Sequence, residues 1–343
     1  MKKIITFLLL TIIIVSLALA GCGEKEKEPL KFGDLNWGSA HFQSELARII
    51  AMHGYGYSVE LVGGKTIALL QANRTGEIDV FIEGWMANQQ EAYDEGIASG
   101  DIVLLGILNN DNWQSLFVVP TYVIEGDSAR GIEPMAPGLK SVEDLKKPEI
   151  VELFADPEGP GKGRIITCVP GWECEKINMD QLAAYGLDEY YNLVNPGSGD
   201  AMHAALFGAY AKGEPYITYE WGPEWITGKL DVTLLEEPPY DEAVWEENHG
   251  CAYPAQNLFI TGHKTLPEKA PELVEMFGKW KLDTKTLGEA LAYMEDTKGE
   301  PFDAAVWFIQ EREDIWTTFV PADVAQKVKD AVAQGIVEPQ GTE

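Results

Sequence analysis

The chain is poor in the groups on which most catalysis and metal chemistry depends. Its 343 residues include only four cysteines and five histidines, and the histidines show no metal spacing. HExxH and GxSxG are both missing, so neither a zinc hydrolase nor a serine nucleophile elbow is advertised. Positive charge is scarce too. Against 55 Asp and Glu stand 26 Lys and Arg, a formal charge of −29, and such a surface repels nucleic acid. Two familiar-looking loops are incomplete. GGKT, Gly63 to Thr66, lacks the leading glycine of a phosphate loop, which would fall at Val59. DPEGPGKGRIIT, Asp156 to Thr167, has Pro160 and Thr167 at the fifth and twelfth positions of a calcium loop, so the bidentate acid is absent. No repeat of fixed period and no long low-complexity segment occurs.

What is present begins with the first 22 residues, MKKIITFLLLTIIIVSLALAGC. Two lysines, an apolar run from Ile4 to Ala20 and a small-residue exit predict a signal peptide over residues 1–21. The alternative is an uncleaved membrane anchor, since the run nearly reaches the roughly 20 residues a span needs. Leu19-Ala20-Gly21-Cys22 resembles a bacterial lipobox, which makes Cys22 the expected lipidation site and residues 22–29 a charged linker to the membrane. No later segment is long and apolar enough to span. Without Lys2 and Lys3 the balance is 24 basic against 55 acidic side chains, or −31. Export permits disulfides. With Cys22 lipidated, Cys168 and Cys174 flank a Pro-Gly turn as the natural bridge and leave Cys251 single; two independent reduced cysteines are the alternative. C-x5-C is not a zinc spacing, and neither metal nor cofactor is expected.

Strand and helix patterns alternate along the body. Ser39 is placed to cap a helix carrying Phe42, Leu46, Ile49 and Ile50 on one face, ending at Gly54. Tyr57–Leu61, Ile78–Ile82 and Ile102–Leu108 read as strands, separated by helices over Thr66–Arg74 and Asn88–Glu95. This rhythm implies a mainly parallel sheet with helices on both faces. A second block starts with the strand-like LFVVPTYVI, Leu116 to Ile124, and Ser141 with Asp144 suggests a capping box for a helix through Phe154. RIITCV, NLV and PYITYE follow as strands separated by helices, and NLFITG, Asn257 to Gly262, is one more. Four helical segments then close the chain and most simply pack back on the first block. Ten tryptophans and abundant apolar residues suffice for a sizeable core, and the length suits two lobes.

Three of the tryptophans share a topological position. Trp85 follows IDVFI, Trp172 follows RIITCV and Trp221 follows PYITYE, each just past the carboxyl end of a strand, where open α/β sheets bind ligands. For one tryptophan taken alone, core packing is the ordinary reading. Three at equivalent ends converge on one cleft. Trp245, Trp280, Trp307 and Trp316 sit in helical or loop contexts and read as packing. An aromatic box suits a quaternary ammonium, which has no N–H to donate; ring faces attract its spread charge by roughly 0.5–2 kcal/mol per desolvated contact.

LKKPEIVELF followed by CVPGWECEKIN, then PYITYEWGPEWI and, less sharply, DVFIEGWMANQQ resemble the glycine betaine/proline betaine-binding component of ABC-type osmoprotectant importers. The resemblance covers nearly the whole mature chain. It implies an α/β, two-lobed type II periplasmic-binding-protein fold with a ligand cleft between lobes, lobe I being residues 30–117 and 252–343 and lobe II residues 118–251. It implies that Trp85, Trp172 and Trp221 cage a trimethylammonium, that Cys168 and Cys174 form a disulfide, and that amides at Glu173 and Cys174 hold a carboxylate. The bridge would then pin the turn that presents Trp172. Its partners would be a quaternary amine, a membrane permease and an ATPase subunit, and its place the outer face of the cytoplasmic membrane, as a lipid-anchored monomer that binds no nucleic acid. Two departures stand out: Gln89 occupies the position of a clamp histidine, and Glu173 replaces a glycine. A glutamate there must point away from a ligand carboxylate or repel it, so choline and related amines stay open. Trp37, after the strand-like KFGDLNW, is a further site candidate, whereas Trp113 reads as packing near the hinge. Two other classes compete: a saccharide-binding protein, whose site would need more polar side chains near the tryptophans, and an exported hydrolase using Glu220 with Glu224, or Glu173 with Glu175.

Overall fold

The computed structural model describes residues 27–254 and 256–338. Cys22 and the expected signal segment lie outside them. Four strands open the chain: β1 (Leu30–Leu35), β2 (Val59–Gly64), β3 (Val80–Trp85) and β4 (Ile102–Asn109). Five follow, β5 (Trp113–Pro120), β6 (Gly163–Ile166), β7 (Tyr191–Val194), β8 (Thr218–Gly222) and β9 (Val232–Leu234), and β10 (Leu258–His263) is the last. They form two sheets, ordered β2-β1-β3-β10-β4 and β7-β6-β8-β5-β9.

Each sheet is mixed rather than mainly parallel. β1 pairs parallel with β2 and β3, and β6 with β7 and β8. β10 runs antiparallel to β3 and β4, and β5 antiparallel to β8 and β9. The reversed strands are those laid down as the chain enters a lobe from the other. A strand reached by such a crossing belongs to no βαβ unit, so the rule that keeps crossovers parallel does not govern it. Because Trp113, Gln114 and Ser115 already pair with Gly222, Trp221 and Glu220 of β8, the first crossing lies between Asn109 and Trp113, ahead of the expected 117/118 boundary.

Three local expectations change as well. The cap of the helix Gly38–Ile49 is Trp37, not Ser39, because the Ser39 hydroxyl is committed to Glu83. LFVVPTYVI is strand only to Pro120, after which Thr121–Glu125 is helical. The Ser141/Asp144 capping box is present, yet its helix breaks into a 3-10 turn, Val142–Lys146, and an α-helix, Pro148–Leu153. Pro148 forces extended backbone on Lys147 and separates them.

The C-terminal helices pack on the first lobe. Phe308, in the helix Pro301–Glu311, meets Phe42 edge-on at 5.3 Å, and Trp280 stacks on Phe319 at 5.0 Å. Gly54 ends a π-turn, Ile50–Gly54, that extends the first helix. A β-carbon there would lie 2.7 Å from Val324 of the helix Ala322–Ala333, so only glycine allows that helix to close over the core. Among the described residues no helix is long and apolar enough to cross a membrane.

Candidate ligand-binding site

A cavity lies between the sheets. The first lobe lines it with Trp37, Thr66, Trp85 and Gln89, the second with Gln114, Trp172, Glu173, Cys174, Tyr219 and Trp221. All six residues expected at the ligand, and the further candidate Trp37, are therefore brought together. Trp113 is not among them; its indole packs against Gly222. Trp37 meets Trp172 edge-to-face at 5.4 Å, Trp172 meets Trp221 likewise at 5.3 Å, and Tyr219 lies 5.8 Å from Trp221. These spacings favour neighbouring rings whose quadrupoles attract.

In the first lobe the rings are held by one carboxylate. Glu83 of β3 is fully buried and accepts from Trp37 Nε1 at 2.7 Å, Ser39 Oγ at 2.7 Å, Gln43 Nε2 at 2.5 Å and Trp85 Nε1 at 3.4 Å. Its φ of +63° is left-handed, unusual for a side chain other than glycine, and it sits where the β3–β10 ladder changes register. Burial pushes its carboxyl upward, against the pull of the four donors.

In the second lobe a covalent turn does the positioning. Cys168 and Cys174 are joined by a disulfide, and Cys251 is a free, buried thiol. Between the bridged cysteines Gly171 adopts φ +88°, which glycine reaches without strain. Its N–H donates to Glu175 Oε2 at 3.1 Å, and Trp172 N–H donates to Val169 O at 3.0 Å. The turn also reaches across the cleft. Trp172 Nε1 donates to Asn36 Oδ1 at 2.9 Å, and Lys65 Nζ donates to Pro170 O. The helix Cys174–Ala184 starts directly after it, and among the described residues the N–H groups of Glu173 and Cys174 meet no acceptor. They form a small anion-attracting corner beside the rings.

Gln89 is buried, with its amide nitrogen at the limit of reach of Trp85 O (3.5 Å) and its oxygen without a hydrogen bond among the described residues. Glu173 is half-buried. Burial pushes its carboxyl upward, opposed by Lys176 and reinforced by Asp180. Behind Trp221, His203 lies 5.2 Å from the indole and 3.3 Å from Glu220 Oε2. Burial alone would lower this histidine, but Glu220 and Glu224 outweigh it and hold it at about 9. Burial likewise pushes Glu224 up to about 7, with His203 opposing. Neither Glu220 nor Glu224 lines the cavity, and Glu175 is engaged with Gly171 and Asn195.

Residues 28–311 match the family described as the substrate binding domain of ABC-type glycine betaine transport systems. The chain belongs to this family. As a member it is a transport component rather than an enzyme, a two-lobed binding protein that works outside the cytoplasm with a membrane permease and its ATPase. It is 26% identical over 325 residues to the trimethylamine N-oxide-binding protein of Pelagibacter ubique, covering 93% of this chain and 99% of that one. It is 33% identical over 191 residues to the glycine betaine/proline betaine-binding periplasmic protein of Escherichia coli, covering 52% and 55%. The same fold is seen in the glycine betaine/L-proline-binding protein of Borrelia burgdorferi, with TM-score 0.71 at 20% identity over 88% of this chain and all of that one.

Several residues around this cavity escape sequence reasoning. Thr66 belongs to the GGKT stretch set aside for lacking a phosphate cradle, yet it opens the helix Thr66–Thr75 at the cleft. Gln114 lies ahead of the strand expected from Leu116 but within β5, where its Oε1 accepts from Tyr219 OH at 2.7 Å. Glu83 has one signal, a lone acid in the otherwise apolar VFIEGW.

Proposed function

We propose that the protein captures a small quaternary ammonium compound bearing an anionic oxygen, glycine betaine or proline betaine, and delivers it to its permease. The cation enters among Trp85, Trp172, Trp221 and Trp37. Its carboxylate meets the Glu173 and Cys174 N–H groups, and Gln89, weakly held, turns its amide to donate as well. The observation that carries this reading is the juxtaposition, in one cavity, of four indoles with two N–H groups at a helix start that meet no acceptor among the described residues. Rings attract a cation that cannot hydrogen-bond, and the amides attract the acid at its other end. The names of the relatives in Pelagibacter and Escherichia support it, since those ligands share a quaternary nitrogen and an anionic oxygen. Cys22 attaches the mature chain to the membrane by lipid, through the short linker, as a monomer.

Glu173 supports choline as a second reading, because a carboxylate at the cavity favours a net cation. Titration with glycine betaine, trimethylamine N-oxide, choline and a sugar panel, followed by intrinsic fluorescence, decides among them. Tightest binding of glycine betaine upholds the proposal. Tighter choline binding transfers it to the second reading, and saturable binding of a sugar alone ends both. Membrane partitioning of the wild type but not of Cys22→Ala tests the anchor.

A further inference from the structure

Glu83 holds an arrangement that the hydrogen-bonding needs of two indoles do not by themselves require. Its carboxylate is 0% exposed, and its partners Trp37, Ser39, Gln43 and Trp85 are all neutral. Among the described residues no lysine, arginine or histidine pairs with it. Gln43 is fixed as a donor, because its own oxygen accepts from Trp280 Nε1 at 3.3 Å. Burial works toward the protonated acid, but donors on both oxygens favour the ionised one. Glu220, in contrast, has His203 beside it. A buried carboxylate without a cation is costly, and this one is also held at a left-handed φ.

We propose that Glu83 is the resident counter-charge of the cage, polarising the Trp37 and Trp85 indoles and so setting the preference for a cation over a neutral molecule of the same shape. An indole N–H that donates to a carboxylate shifts electron density into its ring, and the ring face becomes more attractive to a cation. Two walls of the cage share this one acceptor. In surroundings of low dielectric the carboxylate's own field acts in the same direction. The ligand's positive charge then supplies the partner that the folded protein lacks. Glu83 is thus a positioning residue acting through the rings. The proposal rests on the cage reading above.

The test compares choline with its uncharged carbon isostere, 3,3-dimethylbutan-1-ol, by competition on the full mature chain. Wild type should prefer choline; equal binding of the two would defeat the cage reading itself. In Glu83→Gln, choline should weaken by about tenfold or more while the alcohol stays within about twofold. Because the new amide would set one donor against Gln43, a second variant exchanges the pair. Gln43→Glu with Glu83→Gln keeps the hydrogen-bond pattern and net charge but moves the carboxylate off the indole N–H groups. It should show the same selective loss. An unchanged choline-to-alcohol ratio, or equal losses for both ligands in the exchanged pair, would overturn the proposal and leave Glu83 a structural acceptor.

Discussion

The two sides of the cavity immobilise the same kind of ring by different means. In the first lobe Trp37 and Trp85 are tied through their N–H groups to one buried carboxylate. In the second, Trp172 rides on a disulfide-pinned turn and Trp221 is wedged among Tyr219, Trp172 and His203. A bridge or a packed ring fixes geometry only. A carboxylate at the indole edge also changes what the ring face offers a cation. The halves therefore differ in electronic character while presenting similar surfaces.

The largest expected way to break this comparison is Trp172→Ala. It removes the ring that touches walls from both lobes, and should weaken betaine binding by roughly a hundredfold, about 2.7 kcal/mol. Trp85→Ala and Trp221→Ala should each lose about tenfold or more, measured by calorimetry. Unchanged affinity in two of the three variants would end the cage.

Alkaline pH should separate the lobes next. His203 is held at about 9 against an ordinary 6.5, so the folded chain keeps a proton that the unfolded chain has released. That stabilisation is complete below about 6.5 and is lost as pH rises through about 9. Glu224 and Glu237, raised to about 7 by burial, act in the same sense between the ordinary carboxylate range and about 7. The first lobe also has a raised acid, Glu45 at about 7, and a raised histidine, His41, whose burial is outweighed by Asp34; the comparison rests on the larger rise of His203. The His203 part alone should lower stability by about 2 to 3 kcal/mol between pH 6 and 9, with hydrogen exchange quickening first in the second lobe and His203→Gln flattening the slope. Equal quickening in both lobes would contradict this.

Opening the bridge with Cys168→Ser and Cys174→Ser should destabilise by roughly 2 kcal/mol. It should also weaken glycine betaine binding while leaving the first-lobe rings in place, as tryptophan fluorescence can report. The smallest effect expected is that of Glu173→Gly, a gain of a few-fold for glycine betaine with choline little changed. Burial raises the Glu173 carboxyl, so this gain should shrink as pH falls and the wild-type acid takes up its proton. A gain independent of pH would remove charge repulsion as its cause.

The legible parts of this architecture were those written in local pattern. Trp85, Trp172 and Trp221 could be placed because each follows an apolar strand, and strand ends gather in α/β folds. The Cys-Val-Pro-Gly-Trp-Glu-Cys turn carries its own chemistry. What could not be read depends on the reversed strands. Gln114 reaches the cleft only because β5 runs against β8, and no short window records that direction. Glu83 escaped because its one signal is a lone acid in an apolar strand, and its left-handed backbone has no signature unless the residue is glycine. Ser39 was misassigned because its capping chemistry is also what a buried carboxylate requires.

The bonds from Trp172 to Asn36 and from Lys65 to Pro170 span the two lobes, which makes one indole both a wall of the pocket and a fastener of the closed shape. Binding strength measured on this protein therefore contains the fraction of molecules already shut. A change at Asn36, which does not line the cavity, should alter apparent affinity for every ligand by one common factor. Selectivity among them should stay where it was. Tightness and choice are in this way separately adjustable, the first through the seam between lobes and the second through the rings.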